Sequence, residues 1–231
     1  MRKVRHQEDR GKADYGWLKT AHSFSFAHYY DEAHMGFRHL RVINEDHVAP
    51  KTGFEEHGHR DMEILTYVLS GTVEHRDSEG NVGHICSGMV QRMTAGTGIR
   101  HSEMNNEAEP LHLLQIWILP QRRGLEPSYE EREFPKACGE NRLQLLASPD
   151  GREDSLTIHQ DVTFWGSTLT PGTKVEHDLA PGRHAWVQVA RGTVDLREQT
   201  LQAGDGVAIS EEQHIEIQAL EEAEVLLFDL A

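Results

Sequence analysis

Two short stretches of this chain carry metal-capable side chains at a spacing of two: His57-Gly58-His59 and His101-Ser102-Glu103. On a β-strand, residues two apart project from the same face of the sheet. Adjacent strands bearing these pairs would aim three imidazoles and one carboxylate at a single point. Such a set of nitrogens and an oxygen suits a first-row divalent ion and leaves an octahedral ion two open positions. The chain holds 16 histidines, so a lone His-x-His would mean little; the weight lies in the second, matching pair.

The elements around these pairs read as strands. Phe24, Phe26 and His28 alternate with small residues, and 36–44, 61–70, 72–77 and 89–93 are rich in β-formers. Ser78-Glu79-Gly80-Asn81 is a turn, and Leu111 to Leu119 is apolar enough to be buried on both faces. No helix of ordinary length is expected. Regular interruption by Gly, Pro and Asn points to antiparallel sandwiches or barrels.

After a polar, proline-bearing connection over 121–139, the same grammar returns. Val187-Gln188-Val189-Ala190-Arg191-Gly192-Thr193-Val194 parallels Tyr67-Val68-Leu69-Ser70-Gly71-Thr72-Val73, and 203–209 parallels 87–93. Internal duplication is the economical explanation. Superposing Gly71 on Gly192 sets Asp178 opposite His57 and Ala180 opposite His59, and no His-x-Glu follows at the expected distance. The expectation is an N-terminal unit over 1–130 that carries the metal site and a C-terminal unit over 131–231 that lacks it.

Composition removes several function classes. Lys plus Arg is 23 against 38 Asp plus Glu, a formal charge of −15. Phosphate backbones and anionic membrane surfaces would be repelled, so no direct nucleic-acid or membrane partner is expected. Cys86 and Cys138 are too few for a disulfide framework, and Cys86 reads as a small buried hydrophobe. The charged N-terminus lacks the apolar run of a secretory signal, and no stretch has the roughly 18 apolar residues of a membrane helix. The reading is of a cytoplasmic monomer with reduced thiols.

Other residues divide into bland and interesting. His6, His22, His34, His39, His47, His159 and His214 read as surface or strand polar positions, and His75 and His112 are ambiguous between that reading, which is favoured, and partners that fix the tautomer of a ligand imidazole. Phe24, Phe26, Phe37 and Trp117 fit core packing better than the lining of an aromatic pocket.

The spacing Gly-x3-His-x-His-x3-Glu-x7-Gly over Gly53–Gly71 resembles the first cupin motif, and Gly88 through Gly96 to His101 and Asn105 resembles the second. Thr94-Ala95-Gly96-Thr97-Gly98-Ile99-Arg100-His101-Ser102-Glu103 is similar to the signature of the pirin family, as are Phe24-Ser25-Phe26, Leu40-Arg41-Val42-Ile43-Asn44 and His75-Arg76-Asp77-Ser78. The resemblance implies an all-β chain of two cupin-type antiparallel β-barrels, a bicupin. It implies His57, His59, His101 and Glu103 as ligands of one divalent ion, Fe(II) first and other first-row metals next. Glu63, in the slot where many cupins have a ligand, would lie near the metal and not on it. The activity implied is that of a quercetin 2,3-dioxygenase, taking a small aromatic substrate and O2, with Glu103 as ligand and as catalytic base. The alternative is a non-enzymatic, iron-sensing regulator acting through a protein partner.

Overall fold

A computed structural model describes residues 1–135 and 139–231; Cys138 lies outside them. The chain forms two compact units that are not contiguous in sequence. One comprises Gly11–Glu133 and Ile158–Gln160; the other comprises Met1–Arg10, Phe134–Thr157 and Asp161–Ala231. The first ten residues join the C-terminal unit because strand Arg2–Arg5 pairs antiparallel with Gly206–Ile209, and Arg2 is tied to Glu212 at 2.8 Å. No helix among the described residues is long and apolar enough to cross a membrane.

The unit that holds both His-rich pairs is built from two antiparallel sheets. Its seven-stranded sheet runs, edge to edge, Ser128–Glu133, Met89–Thr94, Glu63–Ser70, Leu111–Ile118, Leu40–Val48, Leu18–His22 and Gly11–Asp14. Its four-stranded sheet runs Thr52–His59, Ile99–Asn105, Thr72–Asp77 and Val82–Cys86. Leu18, Val48, Val68, Leu111 and Leu113 from the first sheet pack on Val73 and Ile85 from the second. Burying one such side chain contributes about 1.5–3 kcal/mol, so this face-to-face packing fixes the spacing of the sheets. Leu111–Ile118 is central in its sheet and, as its composition demands, mostly buried on both faces.

The other unit repeats this plan. A seven-stranded sheet ordered Arg2–Arg5, Gly206–Ile209, His184–Arg191, Ala223–Leu230, Val162–Leu169, Gln144–Ser148 and Leu156–Thr157 accompanies a four-stranded one ordered Lys174–Asp178, His214–Ala219, Thr193–Asp195 and Thr200–Gln202. The hairpin glycines that suggested duplication do the same work in both copies. Gly71 and Gly192 have φ of 82° and 72°, and a Cβ on either would press against backbone, Leu111 Cα at 3.0 Å and Glu222 O at 2.1 Å. The all-β, two-cupin architecture expected from the motifs is present. Neither unit closes into a continuous barrel; each is a sandwich of two separate ladders.

Cys86 departs from expectation. It is exposed, because Val82–Cys86 is an edge strand whose odd positions hold Gly83 and Ile85 inward and turn Val82, His84 and Cys86 to solvent.

Candidate metal centre

Strands Thr52–His59 and Ile99–Asn105 are neighbours, which brings the two spaced pairs together. His101 lies directly opposite His57, and Ile99 opposite His59. Beyond His101 the register slips, so that Glu103 faces Phe54 and Glu55–Glu56 form a bulge. The extra residue keeps Phe54 and His57, three apart, on the same inner face, as bulges near functional sites do. Ile99, His101, Glu103 and Asn105 alternate inward and are all buried. The ring centroids of His57, His59 and His101 are 4.4–4.9 Å apart, and one nitrogen from each lies within 4.8 Å of the others. Glu103 and His75 come within the same distance of His101.

Hydrogen bonds leave specific atoms available. Nδ1–H of His57 donates to the carbonyl of Glu55 at 2.8 Å, inside the bulge, which leaves Nε2 as a bare lone pair. Nε2 of His101 is buried with no hydrogen-bond partner. An orphaned buried nitrogen is costly unless something else satisfies it. The carboxylate of Glu103 is held at both oxygens, by Thr66 Oγ1 at 3.1 Å and by Gln115 Nε2 at 2.7 Å. Burial lowers the pKa of His59 to about 4 and of His101 to about 3, with the neighbouring imidazoles adding to the effect in each case. Neutral imidazoles that converge with a carboxylate, one of them carrying an unsatisfied lone pair, are the donor set a divalent metal requires.

The cluster opens into a cavity of about 880 Å³. Its walls are aromatic: Trp17 meets Phe54 edge to face at 5.2 Å, and Trp117 meets both Phe26 at 5.2 Å and His59 at 4.9 Å. Polar groups share the lining: His22 and Asn44, joined at 2.7 Å, stand there with Asp46, Lys51, Glu55 and Gln115. Gly53 is required here, since a Cβ would sit 2.3 Å from the Glu103 carbonyl oxygen. Phe26 and Trp117 are therefore cavity walls, Trp117 packing also on the core at Ile64, Met93, Ala95 and Ile99, while Phe24 is core at 2% exposure and Phe37 is absent from the lining. Trp17, Phe54 and His22 escaped the sequence reading because only the fold brings 15–30 beside 52–59. His22 is a buried cavity residue and not a surface position.

The ambiguous residues separate cleanly. His75 is fully buried beside His101, whereas His112 stacks on His47 at 3.9 Å and bonds Glu45 at 2.9 Å, away from the cluster. Glu45, His47 and His112 form a separate metal-capable group, one ligand atom of each lying within 4.8 Å of the others. Glu63 is buried and bonded to Thr94 Oγ1 and to the backbone N–H of His159, in none of the described metal-capable groups. A fourth group, Glu176, His214 and Glu216, is already engaged by Lys174 and Asp178.

In the other unit the matching strands carry a different set. There His177 faces Ile215 across Lys174–Asp178 and His214–Ala219, as His57 faces His101. Ile217 then matches Glu103, Leu179 matches His59, and Leu196 matches His75. The register is one residue earlier than the glycine superposition gave, because the hairpin glycine lies far from the strand it was used to align. Asp178 and Ala180 are exposed. Leu179, Leu196, Ile215 and Ile217 all belong to one apolar core.

The family model described as Pirin matches residues 3–118, and the one described as Quercetinase C-terminal cupin domain matches 145–230. A protein named quercetin 2,3-dioxygenase from Escherichia coli (strain K12) is 49% identical over 228 residues, covering 98% of this chain and 97% of that one. A pirin-like protein from Caulobacter vibrioides is 44% identical over 222 residues, 96% of each. The crystal structure of YhhW from Escherichia coli superposes with a TM-score of 0.96 at 48% identity, covering 100% of this chain and 98% of that one. The structure of bacterial pirin YhhW in complex with nickel(II) gives 0.95, also at 48%, with 100% and 99% covered. With motifs, fold and full-length relatives in agreement, this chain belongs to the pirin family.

Proposed function

We propose that the chain is a metal-dependent quercetin 2,3-dioxygenase, opening the central ring of a flavonol with O2 and releasing carbon monoxide. The observation that carries this reading is the convergence of His57, His59 and His101, with Glu103 beside His101, where His57, His59 and Glu103 line a cavity of about 880 Å³. That volume falls within the usual range for small-molecule sites, about 300–1,000 Å³. The four residues would hold one divalent ion, and Fe(II) is the metal we assign; the nickel(II) complex of a relative is consistent with a site that takes several first-row ions. When bound, the ion would acidify a substrate hydroxyl and provide a path for electron density between a singlet flavonol and triplet O2.

The chain's own residues do the rest. Trp17, Phe54, Phe26 and Trp117 present rings to a flat aromatic substrate. Glu103 lines the cavity and acts as the base that takes the substrate hydroxyl proton. Thr66 and Gln115 orient the carboxylate and are themselves buried, so it meets the substrate in a fixed pose. The same proton returns to the ring-opened product, leaving Glu103 ready for another turnover.

The test is to prepare metal-free protein, load it separately with Fe(II), Mn(II), Ni(II) or Cu(II), and follow quercetin absorbance and carbon monoxide release under air. Turnover with carbon monoxide in step with substrate loss is expected. Absence of turnover with every metal overturns the enzymatic reading in favour of a regulator.

A further inference from the structure

Behind the ligand cluster, on the side away from the cavity, strand Thr72–Asp77 pairs with Ile99–Asn105. His101 lies opposite Asp77 and Glu103 opposite His75. The side chains of His75 and Asp77 are both 0% exposed. Nδ1 of His75 is 3.3 Å from Nδ1 of His101, and Nε2 of His75 is 3.2 Å from Oδ2 of Asp77. Tyr129 stacks on the His75 ring, with centroids 4.7 Å apart and planes 23° from parallel, fixing the plane of the imidazole. Asp77 is fixed too: its Oδ1 accepts from the backbone N–H groups of Glu79 and Asn81, and Asn81 Nδ2 donates to both oxygens.

For an uncharged His75, these contacts admit one arrangement of protons. A carboxylate only accepts, so Nε2 of a neutral His75 carries its hydrogen and donates to Asp77. Nδ1 of His75 is then an acceptor. The nitrogen facing it, Nδ1 of His101, must be the donor. That leaves Nε2 of His101 without a hydrogen, and it is this atom that is buried in the ligand cluster with no partner. The turn after Asp77 thus sets a tautomer two residues deeper in the fold.

We propose that Asp77 and His75 are positioning residues that lock His101 as the Nδ1–H tautomer and so hold its Nε2 lone pair ready for the metal. This rests on the assignment of His101 as a ligand. Metal-binding histidines commonly donate their second nitrogen to a carboxylate or carbonyl, and losing that partner typically costs about 10–100-fold in metal affinity. Here the partner is a second imidazole, with the carboxylate one step further back. Strand register explains why: a carboxylate at position 77 is opposite His101 but turned into its own Asn81 turn, and His75 bridges the gap. In the other unit the position of His75 is Leu196, so the relay is missing where the ligands are missing.

The experiment uses full-length protein, metal-free and then titrated with Ni(II). Nitrogen-15 NMR of histidine-labelled, metal-free protein should report His101 protonated on Nδ1 and His75 on Nε2. Ni(II) affinity, measured by competition with a chelator, should fall about 10–100-fold in His75→Leu. It should recover most of that loss in His75→Gln, whose amide keeps an acceptor toward His101 and a donor toward Asp77. Asp77→Asn should shift His101 away from the Nδ1–H form. Wild-type affinity in His75→Leu, a Gln variant as weak as the Leu variant, or His101 protonated on Nε2 in the metal-free wild type overturns the relay. Failure of the wild type to bind Ni(II) strikes the ligand assignment instead, and the tautomer measurement, which needs no metal, still decides the relay. That measurement also stands if His75→Leu fails to fold.

Discussion

His57 and His101 sit directly opposite each other on adjacent antiparallel strands, with ring centroids 4.4 Å apart. The corresponding pair in the other unit is His177 and Ile215. One cross-strand pair in two settings shows that this fold needs no imidazole at position 101. It needs only something that fills the space between two sheets.

His59 should therefore be expendable for folding. It is half-buried near the mouth of the cluster, and the rings beside it, Trp117, His57 and His101, belong to the site and not to the apolar core. His59→Ala is expected to abolish stoichiometric metal binding and turnover while changing the stability of the metal-free protein by less than about 1 kcal/mol. Metal analysis and urea unfolding of the same sample decide this; loss of the folded state would make the site structural.

Glu103 is asked to be both ligand and base. Glu103→Gln keeps the size but places an amide N–H₂ where Thr66 and Gln115 now donate, so one buried donor loses its acceptor, at about 1–3 kcal/mol. Turnover should drop by about 10²–10⁴-fold, the usual contribution of a positioned base. Retained metal together with retained turnover would remove Glu103 from the proton transfer.

The acid side of the stability profile carries the signature of the neutral imidazoles. Burial holds His59 at about 4 and His101 at about 3, against an ordinary value of 6.5. The unfolded chain takes up these protons first, so stability is complete above pH 6.5 and declines as pH falls toward 4. Each histidine costs about 1.4 kcal/mol per pH unit in that window. Unfolding midpoints of metal-free protein between pH 7 and 5 should show this slope, and His101→Leu should flatten it. An identical slope in the variant would contradict the burial argument.

Phe54 contributes a cavity wall and sits opposite Glu103. Phe54→Ala should raise KM for quercetin about tenfold or more, the worth of about 1.5–3 kcal/mol of apolar contact, with a smaller change in kcat. A fall in kcat at constant KM would assign the ring to positioning in the transition state.

In the other unit, Ile215 is 1% exposed within an apolar core. Ile215→His puts an imidazole opposite His177 but buries its polar atoms among Leu179, Leu196 and Ile217. The variant should lose roughly 2–5 kcal/mol of stability and gain no metal site, as unfolding and metal analysis would show. Stoichiometric metal uptake there would mean that two imidazoles suffice.

The amino-acid sequence by itself determined the strand-rich character, the duplication and the two spaced pairs, His57 with His59 and His101 with Glu103, that meet on neighbouring strands. Each of these follows from local periodicity: a spacing of two on a strand fixes a face, and repeated glycine turns mark repeated hairpins. What it left open were the features that depend on which strands become neighbours. Only the folded chain set Arg2–Arg5 against Gly206–Ile209, placed the bulge at Glu55–Glu56, and brought Trp17 and His22 to the cavity beside His57. Only the fold, likewise, assigned His75 to the cluster and His112 elsewhere, although both are histidines on strands. A side chain's face is written in its nearest neighbours in sequence. Its partner across the sheet is fixed by packing between residues far apart in the chain, and that is where the site acquired its cavity and the buried support for His101.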